Sequence, residues 1–246
     1  MVEVKNKLLV MSGKGGVGKT TIAVNLAYAL SKKGLKVGLL DVDIHGPNVP
    51  KMLHLEGEKL STKNKKIIPI KVKDNLKVMS MAFLLNKNDA VIWRGPMKHN
   101  IIKQFLEDVD WGNLDYLVID FPPGTGDEAI SIAQLLQNIT GSIIIATPQQ
   151  VALIDIIKAI DFSNKVNIPI IGLIENMSSE VFGGGTVKIL ADARKINFLG
   201  SLGLDKQISK SGDNGIPFIK NDSRSSKSFE KIIEKIISFC KEKEIA

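Results

Sequence analysis

Ser12-Gly13-Lys14-Gly15-Gly16-Val17-Gly18-Lys19-Thr20-Thr21 is a glycine-rich loop with two lysines, and its reading decides the fold. The spacing from Gly13 to Gly18, Lys19 and Thr20 satisfies G-x-x-x-x-G-K-[ST]; an apolar strand, Leu8–Met11, leads in and a helical pattern follows. Gly13, Gly15, Gly16 and Gly18 permit backbone angles closed to other residues, so the N–H groups from Gly13 through Val17 to Thr21 can converge on phosphate oxygens. A helix starting near Lys19 adds the positive end of its dipole. Lys19 is expected to reach the β- and γ-phosphates and the Thr20 hydroxyl to ligate Mg²⁺. A nucleoside triphosphate site is the direct implication, and one phosphate-binding lysine accounts for only one of the two.

Outward from the loop, short apolar strands alternate with helical stretches, the pattern of a doubly wound α/β fold with a mostly parallel sheet covered on both faces. Strands are expected at 8–11, 36–40, 77–80, 91–93, 116–119, 142–146, 170–174 and 198–202, and helices at 19–33, 97–108, 127–136, 151–166, 187–195 and 226–241. The lysine-rich stretch 56–75 reads as a hairpin or excursion, so residues 1–246 are expected to form a single P-loop domain. With 44% hydrophobic residues and no apolar run near the ~20 residues of a membrane span, a soluble globular protein is expected. The first residues, with Glu3 among them, fit neither a secretory nor a transit signal, which makes the cytoplasm the expected location. Net charge is +7, but only Arg94, Arg194 and Arg224 are arginines and the lysines are scattered, so no specific nucleic-acid partner is expected.

Ligands of such sheets sit at the carboxyl ends of strands. Two expected strands run into carboxylates there: Leu39-Leu40 into Asp41 and Asp43, and Leu117-Val118-Ile119 into Asp120. Asp120 is the natural Walker B residue, reaching Mg²⁺ directly or through water. Asp43 is the candidate for orienting the attacking water, with Asp41 helping to organise the metal shell; a turn-capping role is the alternative for both. Pro122-Pro123-Gly124-Thr125-Gly126 is a stiff-then-flexible loop suited to sensing a γ-phosphate, and Asp127 after it reads equally as an N-cap.

GKGGVGKTT, DVDIHGPNVP (Asp41–Pro50), WRGPM (Trp93–Met97), DYLVIDFPPGTGDE (Asp115–Glu128) and IENM (Ile174–Met177) together closely resemble the Mrp-type, ApbC-like ATPases of the deviant Walker A class, also called iron-sulfur cluster carrier proteins. That resemblance covers about Lys7 to Phe218. It implies a MinD-like fold and a homodimer that binds two ATP molecules at its interface. It also implies slow, dimer-dependent hydrolysis in which Lys14 reaches the partner's nucleotide, much as an arginine finger does. By the same resemblance Asn176 contacts the adenine, with further base contacts near Asp205 and Pro217, and the partners are iron-sulfur client or scaffold proteins.

The resemblance also implies a [4Fe-4S] cluster held by a cysteine pair soon after the ENM segment, yet Asn176-Met177 runs on as SSEVFGGG with no cysteine. The element at Leu202-Gly203-Leu204-Asp205 departs from the family pattern as well. Cys240 is the only cysteine and reads as a packed hydrophobe in an amphipathic helix, so no iron-sulfur ligands are identified. His45, His54 and His99 lack ligand spacing. Two other functions compete. One is a MinD- or ParA-like positioning ATPase, supported by the apolar stripe Phe229, Ile232, Ile233, Ile236, Ile237 and Cys240; its polar face mixes Lys with Glu, which favours packing against the sheet. The other is a P-loop enzyme coupling ATP hydrolysis to ligation or electron transfer.

Overall fold

The computed structural model describes residues 4–43, 46–84 and 95–245. Eight strands form one sheet in the order β10-β9-β8-β1-β7-β2-β6-β5, and a separate antiparallel pair, β3 (Ser61–Lys63) and β4 (Lys66–Ile68), stands beside it. The sheet strands are β1 (Val4–Met11), β2 (Val37–Asp41), β5 (Ile70–Lys73), β6 (Leu76–Ser80), β7 (Leu114–Asp120), β8 (Gly141–Ala146), β9 (Ile170–Ser178) and β10 (Phe198–Gly203). All pairings are parallel except β5 with β6 at one edge.

Parallel strands are buried on both sides, and so they read as unbroken apolar runs: all five residues of β2 and all six of β8 are buried. The pleat sorts successive residues into two cores. Leu8, Val10, Leu39, Val118, Ile143 and Ile145 face one layer, where α1 (Lys19–Lys32) and α8 (Arg224–Ile245) pack. Leu9, Met11, Leu40, Ile119 and Ile144 face the other, under α3 (Gly95–Glu107), α4 (Asp127–Leu135), α5 (Leu153–Lys165) and α6 (Thr186–Arg194). A ten-residue stretch of α1, from Ile22 to Ser31, is buried, because sheet, α8 and the 3-10 turn Phe218–Lys220 enclose it. Burial on that scale holds the phosphate loop at a fixed height above the sheet.

The excursion 56–75 becomes the β3–β4 hairpin and the edge strand β5, where Lys71 and Lys73 alternate with Ile70 and Val72; edge lysines discourage pairing with another chain. Two short helices were not legible in the pattern: α2 (Val49–Met52) and α7 (Lys206–Asp213). The C-terminal helix is longer than expected, and its apolar stripe faces inward: Phe229, Ile232, Ile233, Ile236 and Cys240 are each at most 1% exposed. Among the described residues no helix is long and apolar enough to cross a membrane. The strand expected at 91–93, Trp93-Arg94 of WRGPM and His45 lie outside the described residues, while Gly95 opens α3.

Candidate active site

β1 delivers the glycine-rich loop between the carboxyl ends of β7 and β8. Gly16 and Gly18 sit at φ 78° and 86°, the left-handed region that favours glycine. Gly13 and Gly18 are further required by close approach: a Cβ on Gly13 would lie 2.0 Å from the Asp155 carbonyl oxygen, and one on Gly18 2.3 Å from Asn176 Nδ2. Around Gly15 and Gly16, by contrast, a Cβ would meet nothing within 4 Å. The loop is fastened at its flanks. Ser12 Oγ donates to the Lys14 carbonyl at 2.8 Å, Gly124 N–H to the Ser12 carbonyl at 3.0 Å, and Asn176 Nδ2 to the Val17 carbonyl at 2.8 Å. Helix α1 starts directly on Gly18 with no side-chain cap, which leaves its first N–H groups to an anion.

The expected acidic partners converge behind the loop. Lys19 Nζ donates to Asp120 Oδ1 at 2.6 Å and lies 3.6 Å from Asp43 Oδ2, while Thr20 Oγ donates to Asp120 Oδ2 at 2.7 Å. Asp120 is fully buried, and burial holds its carboxyl above the usual range against the opposing pull of Lys19 and Thr20. Asp41 stands beside it, paired in register on β2, also fully buried. Burial first, and the neighbouring Asp120 second, push the Asp41 carboxyl well above the ordinary carboxylate range.

The hydrogen bonds of Asp41 fit the turn-capping alternative. Its Oδ1 accepts from Asp43 N–H at 3.1 Å; its Oδ2 accepts from Ser80 Oγ at 2.8 Å and Val49 N–H at 3.4 Å. Those donors tie the end of β2 to β6 and to the start of α2, so Asp41 braces the segment carrying Asp43 and does not face the cleft. Asp43 does face it, and its Oδ1 accepts from Gly46 N–H at 3.2 Å.

The cleft has a volume of about 640 Å³, within the range that takes a nucleotide, and its wall includes Lys14, Thr21, Asp43, Lys51, Asn176 and Asp205. Asp205 caps α7, accepting from Gln207 N–H at 2.8 Å and from Ser225 Oγ at 2.6 Å. Pro217 is not part of the wall. Gly126, and not Asp127, occupies the N-cap of α4. For Mg²⁺ the donor set fits: the Thr20 hydroxyl and the Asp120 carboxylate are adjacent hard oxygens, and the carboxylate already holds a cation, the Lys19 ammonium. Among the described residues no group of three or more His, Cys, Asp or Glu side chains is arranged to enclose a metal. Mg²⁺ characteristically takes one or two carboxylates and completes its shell from phosphate and water.

Three supporting residues escaped the sequence reading. Asn25 on α1 accepts from Ile219 N–H at 3.1 Å, tying the loop helix to the 217–219 segment. Buried Glu175 accepts from Gly185 N–H at 2.9 Å and Val187 N–H at 3.1 Å, closing the turn after Asn176 onto α6. Lys51 enters the cleft from α2. The glutamate alone gave a sign, as a carboxylate inside the apolar run Ile170–Ile174 and its extension.

Known proteins resemble this chain in sequence and in fold. A family model described as ParA, NUBPL iron-transfer P-loop NTPase, matches residues 3–237. A protein of Methanocaldococcus jannaschii named iron-sulfur cluster carrier protein is 46% identical over 248 residues, covering 96% of this chain and 86% of the relative. The structure of a nucleotide-binding protein from Archaeoglobus fulgidus in complex with ADP, with Co found, superposes with a TM-score of 0.78 at 34% identity and 89% coverage of both chains. The septum site-determining protein MinD of Pyrococcus horikoshii, complexed with Mg-ADP, shares the fold, with a TM-score of 0.76 at 24% identity and 96% coverage of both chains.

Proposed function

We propose that this chain, which belongs to the NUBPL iron-transfer P-loop NTPase family, is an Mrp-type ATPase that acts as a cytosolic homodimer in iron-sulfur cluster assembly or transfer. The observation that carries this reading is the Lys19–Asp120–Thr20 cluster at the root of a glycine loop that opens into a nucleotide-sized cleft. Its uncapped α1 terminus and the N–H groups from Gly13 to Thr21 receive the phosphates, while Asn176 stands at the wall where the base would lie. Thr20 and Asp120 would hold Mg²⁺, which would supply charge neutralisation on the phosphates. Lys19 turns from Asp120 to the β- and γ-phosphates. Asp43, held by Gly46 and braced through Asp41, orients the attacking water. Lys14, at the cleft wall, crosses to the partner's nucleotide and stabilises charge on the transferring phosphoryl group, which makes hydrolysis slow and dependent on the closed dimer.

The MinD-like positioning reading loses its main support, since the apolar stripe of α8 is packed in the core and unavailable to a membrane surface. The test is a comparison of ATP affinity, turnover and mass in solution. Lys19→Ala should abolish Mg·ATP binding or turnover, Lys14→Ala should keep binding and lose most turnover, and Asp43→Asn should accumulate an ATP-bound dimer. Equal nucleotide loss in both lysine variants would sink the role in trans, and near-normal turnover in Asp43→Asn would remove Asp43 from the mechanism.

A further inference from the structure

We infer that this chain contributes no ligand to the cluster on which it acts, and that every thiolate holding that cluster comes from a partner protein. This rests on the family reading above for the identity of the cargo. A [4Fe-4S] cluster is held by about four cysteine thiolates. The 246 residues contain one cysteine, so a symmetric pair of chains brings two.

Those two are in the wrong place and the wrong state. Cys240 is fully buried on the inner face of α8, in one core with Phe229, Ile232, Ile233 and Ile236. Burial pushes the thiol up to about 12. Ligation requires the deprotonated sulfur. Exposing it would mean peeling α8 from the sheet and baring the aromatic and three isoleucines that hold the helix there. Cluster binding through Cys240 is therefore coupled to loss of the core.

Other donors do not make up the deficit. Among the described residues no three His, Cys, Asp or Glu side chains are grouped for a metal. The hydroxyls that follow Asn176 are already engaged: Ser178 Oγ lies 2.8 Å from Ser201 Oγ and donates to the Leu202 carbonyl of β10 at 3.1 Å, and within the turn Ser179 Oγ accepts from Phe182 N–H at 3.0 Å. Its tip presents Val181, 85% exposed, and Phe182, apolar groups that ligate nothing. The nucleotide machinery and the cargo ligands thus belong to different polypeptides, and the partner must be one rich enough in cysteine to hold a cluster alone.

The experiment is anaerobic reconstitution of the full chain and of Cys240→Ser with ferrous iron and sulfide, with and without Mg·ATP. A phosphine serves as reductant so that no small thiol substitutes for a protein ligand. Iron, acid-labile sulfide, visible absorbance and ATP hydrolysis are measured on the same samples. The expected result is ATP turnover with iron and sulfide at background in both proteins. Stoichiometric sulfide with a broad visible absorbance, whether or not Cys240→Ser removes it, would overturn the inference. Background iron with no ATP turnover would instead refute the ATPase reading and leave the absence of ligands standing.

Discussion

Gly18 and Asn176 touch across the nucleotide cleft, and a double-mutant cycle on them tests how the phosphate loop is held. In Gly18→Ala the new Cβ would lie 2.3 Å from Asn176 Nδ2, at a residue with φ 86°. The left-handed backbone costs an L-residue about 1–2 kcal/mol. Forcing a methyl into a filled site adds roughly 1–3 kcal/mol. If Asn176 yields, its bond to the Val17 carbonyl goes too, worth about 1 kcal/mol. Asn176→Ala alone loses only that bond and makes room. The double variant keeps the backbone cost and the lost bond but not the collision, so the two substitutions should be less than additive by roughly 1–3 kcal/mol. The assay is urea unfolding of the nucleotide-free protein at fixed m-value, paired with ADP affinity. Additivity within about 0.5 kcal/mol would show that the side chain of Asn176 does not buttress Gly18, and the account of the loop would fail.

Two further outcomes follow from buried groups away from the phosphates. Asn25→Ala leaves the Ile219 N–H without its acceptor in a buried site and should destabilise the protein by about 1–3 kcal/mol, read by thermal or urea unfolding; a loss below about 0.5 kcal/mol would mean that the amide finds another acceptor. Cys240 makes stability depend on alkaline pH: its folded-state value is pushed up to about 12 from an ordinary 9.0, so between those values the unfolded chain has lost a proton that the folded chain keeps. Stability should therefore fall as pH rises, by about 1.4 kcal/mol more between pH 8 and pH 10 in the native chain than in Cys240→Ala, and parallel pH profiles would contradict the burial of the thiol.

The phosphate loop and the main sheet were legible because their signals are local and redundant. Apolar runs such as Leu117-Val118-Ile119 admit few readings, and the glycine spacing admits fewer. What escaped depends on contacts distant in sequence. α7 reads KQISKSGD, too polar and too short to declare a helix; it exists because Asp205 caps it and Ser225 fixes Asp205 from the start of α8. β5 is an edge strand whose lysines look like a solvated loop until β6 pairs with it. The two readings of Asp41 stayed open for a similar reason: a carboxylate at a strand end looks the same in sequence whether it faces a ligand or a serine, and only the register of β2 against β6 sets Ser80 beside it.

That register also explains why two carboxylates side by side can remain in the core. Asp41 and Asp120 end adjacent strands at the same level, and each is fully buried, an arrangement that is costly unless each is satisfied. They are satisfied differently. Asp41 is surrounded by neutral donors, Ser80 and two backbone N–H groups, while burial and the neighbouring Asp120 push its carboxyl well above the ordinary range. Asp120 is matched to a full cation, Lys19, within 2.6 Å. In the proposed reaction Lys19 leaves that position for the phosphates, and Asp120 then lacks its partner beside another carboxyl. A divalent ion held by Thr20 and Asp120 would supply the charge that the ammonium gave. On that proposal the bond between Lys19 and Asp120 would couple triphosphate entry to uptake of a divalent ion, because the same carboxylate that releases the ammonium stands beside the Thr20 hydroxyl as the ion's ligand.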